Sequence, residues 1–210
     1  MSRLEDAIPK AGGETITPKK TFKDYQPGFI HIDRCRTRPR AVYLFVAIVR
    51  ARRWIFMHIY GDMTDKSSVD FLRRLQLASP IKIRKILTDN GAQFTDRFAT
   101  EDKRPSVQHA FHMACAALPA EHRLAPPRHP QSNGMVERVN GRINELLQQT
   151  RFDSRTDLQA TLINYLKLYN HHIPQRALDA TMPILVLKEW KQKRPELFVK
   201  RVCDQMGLDK

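Results

Sequence analysis

Three acidic residues suggest the first chemistry to consider in this sequence. Asp33 closes the run Phe29-Ile30-His31-Ile32-Asp33, Asp89 opens the turn signal Asp89-Asn90-Gly91, and Glu137 follows the polar stretch His129-Pro130-Gln131-Ser132-Asn133-Gly134. Three carboxylates converging from a strand, a strand end and a helix start would repel one another too strongly to ionise together unaided. Divalent cations relieve such repulsion, and hard oxygen donors suit Mg2+ or Mn2+. Two ions roughly 3.5–4 Å apart can activate a water or a 3′-hydroxyl and stabilise the leaving oxygen of a phosphodiester. Each acid also has a plainer reading. An Asp at a strand end is often a turn residue, and a Glu in a first helical turn complements the helix dipole.

The elements that would position these acids follow from hydrophobic period. Phe29 to Asp33, Val42 to Val49 and Arg53 to Tyr60 read as three strands whose short spacings suggest antiparallel hairpins. Asp65 to Leu77 reads as a helix with Thr64 as its N-cap, with Val69, Leu72 and Leu75 to Leu77 as its apolar face. Ile81 to Leu87 alternates apolar and basic residues and predicts a strand delivering Asp89. Beyond it come a polar insertion over residues 96–106, a helix from Val107 to Leu118 and a short strand from Glu121 to Ala125. A loop ending at Gly134 then opens into a long helix from Met135 to about Arg151, with a further helix from Arg155 to about Tyr169. Trp54, Phe56 and Tyr60 are assigned to the core by alternation, and His171-His172 to a helix end. The pattern predicts an α/β protein with a mixed five-stranded sheet and helices on both faces.

Composition narrows the partners. In 210 residues, 36 Lys and Arg stand against 22 Asp and Glu, a formal charge of +14 that favours a polyanion such as nucleic acid. The 41% hydrophobic content suffices for a core without staples. Cys35, Cys115 and Cys203 lie far apart, without the spacing of a zinc site or a disulfide scaffold. Apolar runs such as Val42 to Val49 are too short to span a bilayer, and the N-terminus lacks a signal-peptide stretch. These features lead us to expect a cytoplasmic protein, associated with the nucleoid when bound to DNA, with no membrane partner.

The residues themselves carry a resemblance. Phe29–Asp33 (FIHID), Tyr43–Ile48 (YLFVAI), Leu87–Phe94 (LTDNGAQF), His122–Pro127 (HRLAPP) and Pro130–Asn140 (PQSNGMVERVN) resemble the core of bacterial insertion-sequence transposases, within the retroviral-integrase-like superfamily. The resemblance spans residues 22–190, and the blocks around Asp89 and Glu137 are specific when found together in this order. It implies a ribonuclease H-like fold on which Asp33, Asp89 and Glu137 match the metal-binding catalytic acids one for one. It also implies two Mg2+ (or Mn2+) ions, double-stranded DNA as element ends and target, and a homo-oligomer on DNA. The implied reaction is nicking at the element ends, followed by attack of the freed 3′-hydroxyl on target DNA, that is, integration, recombination and transposition.

Further residues are candidates for DNA contact, each with a structural alternative. Asn90 lies in the turn after Asp89. Arg128, Asn133, Gly134, Arg138, Asn140 and Arg142 lie on or before the long helix, where an Asn can equally be a cap and an Arg a solvated surface residue. Gly134 is read as a mobile loop glycine. The sequence departs from the resemblance in three places. Between Asp89 and Glu137 lie 47 residues, with the surplus in the 96–106 insertion. The link Arg34 to Arg40 is short and basic, and Val49-Arg50 replace a commoner Asp-Arg, which would crowd Asp33. Finally, little precedes the core. The expected organisation is a basic tail (1–26), a catalytic core (27–152), a helical extension (153–190) and a basic tail (191–210), truncated ahead of any end-recognition domain. The alternatives are a catalytically silent remnant that binds DNA or a full-length partner, and a stand-alone nuclease of the same fold.

Overall fold

The computed structural model describes residues 27–37, 42–98, 105–126 and 130–202. The expected N-terminal tail and the end of the C-terminal one lie outside the described residues, as do Arg128 and part of the 96–106 insertion. Strands β1 (Phe29–Thr37), β2 (Val42–Val49) and β3 (Ile55–Tyr60) form an antiparallel meander. Strand β4 (Lys85–Thr88) pairs parallel to β1, and β5 (Glu121–Leu124) parallel to β4, giving the order β3-β2-β1-β4-β5. Parallel neighbours need crossovers, and helix α1 (Asp65–Ala78) and helix α2 (Ala110–Ala117) supply them.

Strand β1 continues four residues past its apolar run, because Arg34 to Thr37 pair in register with Phe45 to Val42. Asp33 therefore sits inside the strand, opposite Val46. Strand β4 is shorter than the alternation predicts. Ile81 turns away to bridge Phe198, and pairing with β1 starts only at Lys85. Gly28 makes that junction possible. Its φ is +80°, its carbonyl accepts from the N–H groups of Arg84 and Lys85, and an added Cβ would stand 2.3 Å from the Lys82 carbonyl.

Helices pack on both faces. On β2, Phe45 meets Phe71 of α1 at 5.4 Å between ring centroids, while its neighbour Val46 opposes Asp33, which α3 (Pro130–Gln149) reaches from the other side. Thr64 caps α1 as expected, accepting from the Ser67 N–H. Helix α2 starts at Ala110 rather than Val107, because the His109 ring nitrogen Nδ1 accepts from the Phe111 N–H and caps it there. Helix α3 starts at Pro130, five residues before the expected Met135. A proline at the first helical position has its φ preset and loses no intrahelical donor, so the Gln-Ser-Asn-Gly stretch winds into helix. Gly134 is therefore helical rather than a loop hinge, and Glu137 lies beyond the first turn.

Helix α4 (Arg155–His171) runs along the exposed edge of β3. The fully buried Asn170 amide accepts from the Ile55 N–H and donates to the Ile55 carbonyl, both at 2.9 Å. Trp54 and Phe56 are buried, while Tyr60 is half-buried and donates its hydroxyl to Asp70. Helix α5 (Pro183–Lys193) carries Leu187 into the core, and the chain then returns past the start of β4 with Leu197 and Phe198 buried. The stretch read as a basic tail is thus packed structure as far as Phe198, because its apolar residues find the gap beside Ile81. No helix among the described residues is long and apolar enough to cross a membrane.

Candidate active site

Asp33, Asp89 and Glu137 are delivered by β1, by the loop after β4 and by α3, which pack as neighbours. Asp33 is the most enclosed. Its Oδ1 accepts from the Arg34 N–H at 2.8 Å, and its Oδ2 accepts from the Asn140 amide at 3.0 Å. Burial pushes its carboxyl up to about 6. The Arg34 N–H opposes the rise, and the negative charges of Asp89 and then Glu137 add to it. Asp89 turns one oxygen inward to the Gly91 N–H at 3.0 Å. Asp33 thus lies within electrostatic reach of both other acids. Even so, among the described residues no three His, Cys, Asp or Glu side chains are gathered closely enough to hold an ion.

The neighbouring asparagines are committed to the fold. Asn90 donates to the Ala125 carbonyl at 2.8 Å, tying the Asp89 loop to the end of β5, and its oxygen faces the Arg97 guanidinium at 3.4 Å. Asn140 is 7% exposed and shares a helix face with Glu137 three residues earlier, so its bond to Asp33 tethers the face that carries Glu137. Its own Oδ1 is buried without a hydrogen-bond partner. Among the other candidates, Arg138 is exposed and curls onto the Gly134 carbonyl at 2.9 Å, and Arg142 is exposed. Around Gly134 the space for a side chain is open, so nothing there demands glycine. Asn133 lies in the first turn of α3.

Two histidines escaped the sequence reading. His122 on β5 stands 2.9 Å from the hydroxyl of Thr88, the residue before Asp89. Burial, and then the neighbouring His112 and His109, lower its pKa to about 4. His31 on β1 is held lower still, at about 3, by burial and by Arg50. Both rings are neutral at pH 7 and leave the carboxylates' charge uncompensated. The only available signal was His122 alternating with Leu124 beside a strand. The Val49-Arg50 substitution does not crowd Asp33. Val49 opposes Ile30, and Arg50 stacks over the Phe29 ring at 5.0 Å, roughly 10 Å along the strand from Asp33. That ground for a degenerate site falls away.

Comparison with known proteins bears on the fold. Residues 119–183 match the family described as integrase core domain. A putative integrase, ORF3 of Spiroplasma virus SpV1-C74, is 23% identical over 146 residues, 67% of this chain and 40% of that protein. The chain thus spans well under half the length of that relative. Among solved structures, the catalytic core domain of BIV integrase superposes with a TM-score of 0.58 at 17% identity, covering 81% of this chain and 99% of that one. The fold is that of the retroviral integrase catalytic core, which is ribonuclease H-like. The family match thus lies within residues 119–183, and the likeness to the solved structure shows the fold.

Proposed function

We propose that this chain is the catalytic core of a DNA transposase or integrase, with Asp33, Asp89 and Glu137 as its metal-holding acids. The observation that carries the reading is the largely enclosed Asp33 carboxyl, held by the Arg34 N–H and the Asn140 amide, with Asp89 and Glu137 delivered on neighbouring elements. A site of this kind is electrostatically incomplete until a cation joins it. The donor set fits one, since carboxylate oxygens suit Mg2+ or Mn2+. The reading requires Asp89 and Glu137 to draw closer to Asp33 when a cation binds. A bound divalent ion would supply an activated water or 3′-hydroxyl and stabilise the leaving oxygen.

The chain's own residues do the rest. The Arg34 N–H and the Asn140 amide fix the two oxygens of Asp33. The Gly91 N–H fixes one oxygen of Asp89. Arg138 and Arg142, exposed on the Glu137 helix, meet the phosphates of double-stranded DNA. The chain acts as a homo-oligomer in the bacterial cytoplasm.

The test is nicking of supercoiled DNA and joining of a pre-cut end, with Mg2+ or Mn2+, by wild type, Asp89→Asn and Glu137→Gln. Metal-dependent nicking that both variants lose supports the proposal. Equal behaviour of all three proteins refutes it, and DNA binding without nicking under any condition identifies a silent remnant.

A further inference from the structure

The catalytic acids occupy the end of the sheet where β4 exits. The opposite end, where β4 enters, carries a continuous basic surface that the reaction does not use. Arg52, in the β2–β3 turn, lies 3.7 Å from the ring centre of Trp190 on α5, and its charge reaches Glu189. Lys193 pairs with Glu189 at 2.9 Å, and Arg194 pairs with Glu196 at 2.9 Å. The charge of Arg84, just before β4, reaches Glu196 in turn. Lys191 donates to the Lys200 carbonyl at 3.1 Å, and the Lys200 ammonium reaches the Leu77 carbonyl at the end of α1. These contacts join the β2–β3 turn, α5, the returning chain and the entrance of β4 into one face. Its six cations exceed its two carboxylates by four positive charges.

We infer that this face is a second docking surface for the phosphate backbone of duplex DNA, separate from the carboxylate site. The inference rests on reading the chain as a DNA-acting core. Surface ion pairs contribute little stability, so Glu189 and Glu196 leave these cations able to exchange onto phosphates. A helix of 11 residues is about 16 Å long, which matches about five successive phosphates of one strand. The face offers charge to phosphates rather than an array of contacts to base edges, so it binds without sequence preference. A recombinase core must hold DNA beyond the reacting phosphate, and a basic surface at the far end of the sheet gives a long duplex a second anchor.

The test is fluorescence anisotropy of a labelled 40-base-pair duplex across a salt series, using the full chain and a K193E/R194E/K200E variant. Losing three phosphate contacts should lower the slope of log K against log salt by about 2.7, and weaken binding at 150 mM salt by about 100-fold or more. The triple variant should retain metal-dependent nicking at low salt. An unchanged slope and affinity in the folded triple variant overturns the surface. A variant that loses only binding to anionic lipid vesicles overturns it as well. Absence of nicking in wild type alongside the expected loss of slope would refute the catalytic reading and leave this surface standing.

Discussion

Replacing Asn170 by Leu tests how the exposed edge of the sheet is closed. Strand β3 pairs only with β2, so its outward backbone groups need partners from elsewhere. Asn170 supplies both partners for Ile55, whose side chain, like that of Asn170, is completely buried. Leucine keeps the forked side-chain shape at a larger volume but leaves one N–H and one C=O unsatisfied, at about 1–3 kcal/mol each. Removing the buried amide returns part of that loss, so the net destabilisation should be about 2–4 kcal/mol. That is a large share of a total stability of about 5–15 kcal/mol. For a chain of this size it corresponds to a fall in Tm of roughly 5–15 °C. Urea unfolding followed by circular dichroism should show a lower midpoint with an unchanged slope, and the Ile55 amide should exchange faster with solvent. An unfolding free energy within about 0.5 kcal/mol of wild type, with Ile55 still protected, would refute the idea that this amide closes the edge.

Other outcomes follow from the site and its surroundings. In the chelated protein, the folded Asp33 carboxyl holds its proton up to about pH 6, whereas the unfolded one releases it near 3.8. Stability is therefore lost as pH rises through that window, by at most about 3 kcal/mol, and Asp33→Asn should be more stable than wild type above pH 6 but not below pH 4 in urea titrations. The buried neutral rings His31 and His122, at about 3 and 4, act in the opposite sense: stability falls as pH drops below 6.5, and His122→Gln should flatten that slope between pH 6.5 and 4.5. Asn140→Ala removes the donor that fixes Asp33 and should weaken Mg2+ or Mn2+ affinity about 10- to 100-fold, measured by calorimetry, with the fold intact by circular dichroism. Gly28→Ala forces a side chain against the Lys82 carbonyl at positive φ and should cost about 2 kcal/mol or more in thermal unfolding.

Much of the architecture was legible from the sequence because it is written in short-range periodicity. The runs Phe29 to Asp33 and Val42 to Val49 alternate or stay apolar over the length of a strand, and Thr64 stands where a helix needs an acceptor. The turn at Asp89-Asn90-Gly91 announces itself by residues that tolerate tight backbone and bond to their own loop. What the tertiary structure decided is which polar group meets which. Asn140 and Asp33 are 107 residues apart, and Asn170 and Ile55 are 115 apart, so no local pattern marks either pair. An asparagine reads the same whether it faces DNA, caps a helix or satisfies a distant strand, and only the packing that removes it from water selects among these. The same holds for α5 and Leu197-Phe198, whose cations mask an apolar anchor that becomes meaningful only beside Ile81. The sequence by itself determined the elements and the acids they carry; the fold alone determined how those acids are held, because burial and long-range hydrogen bonding exist only once the chain has closed.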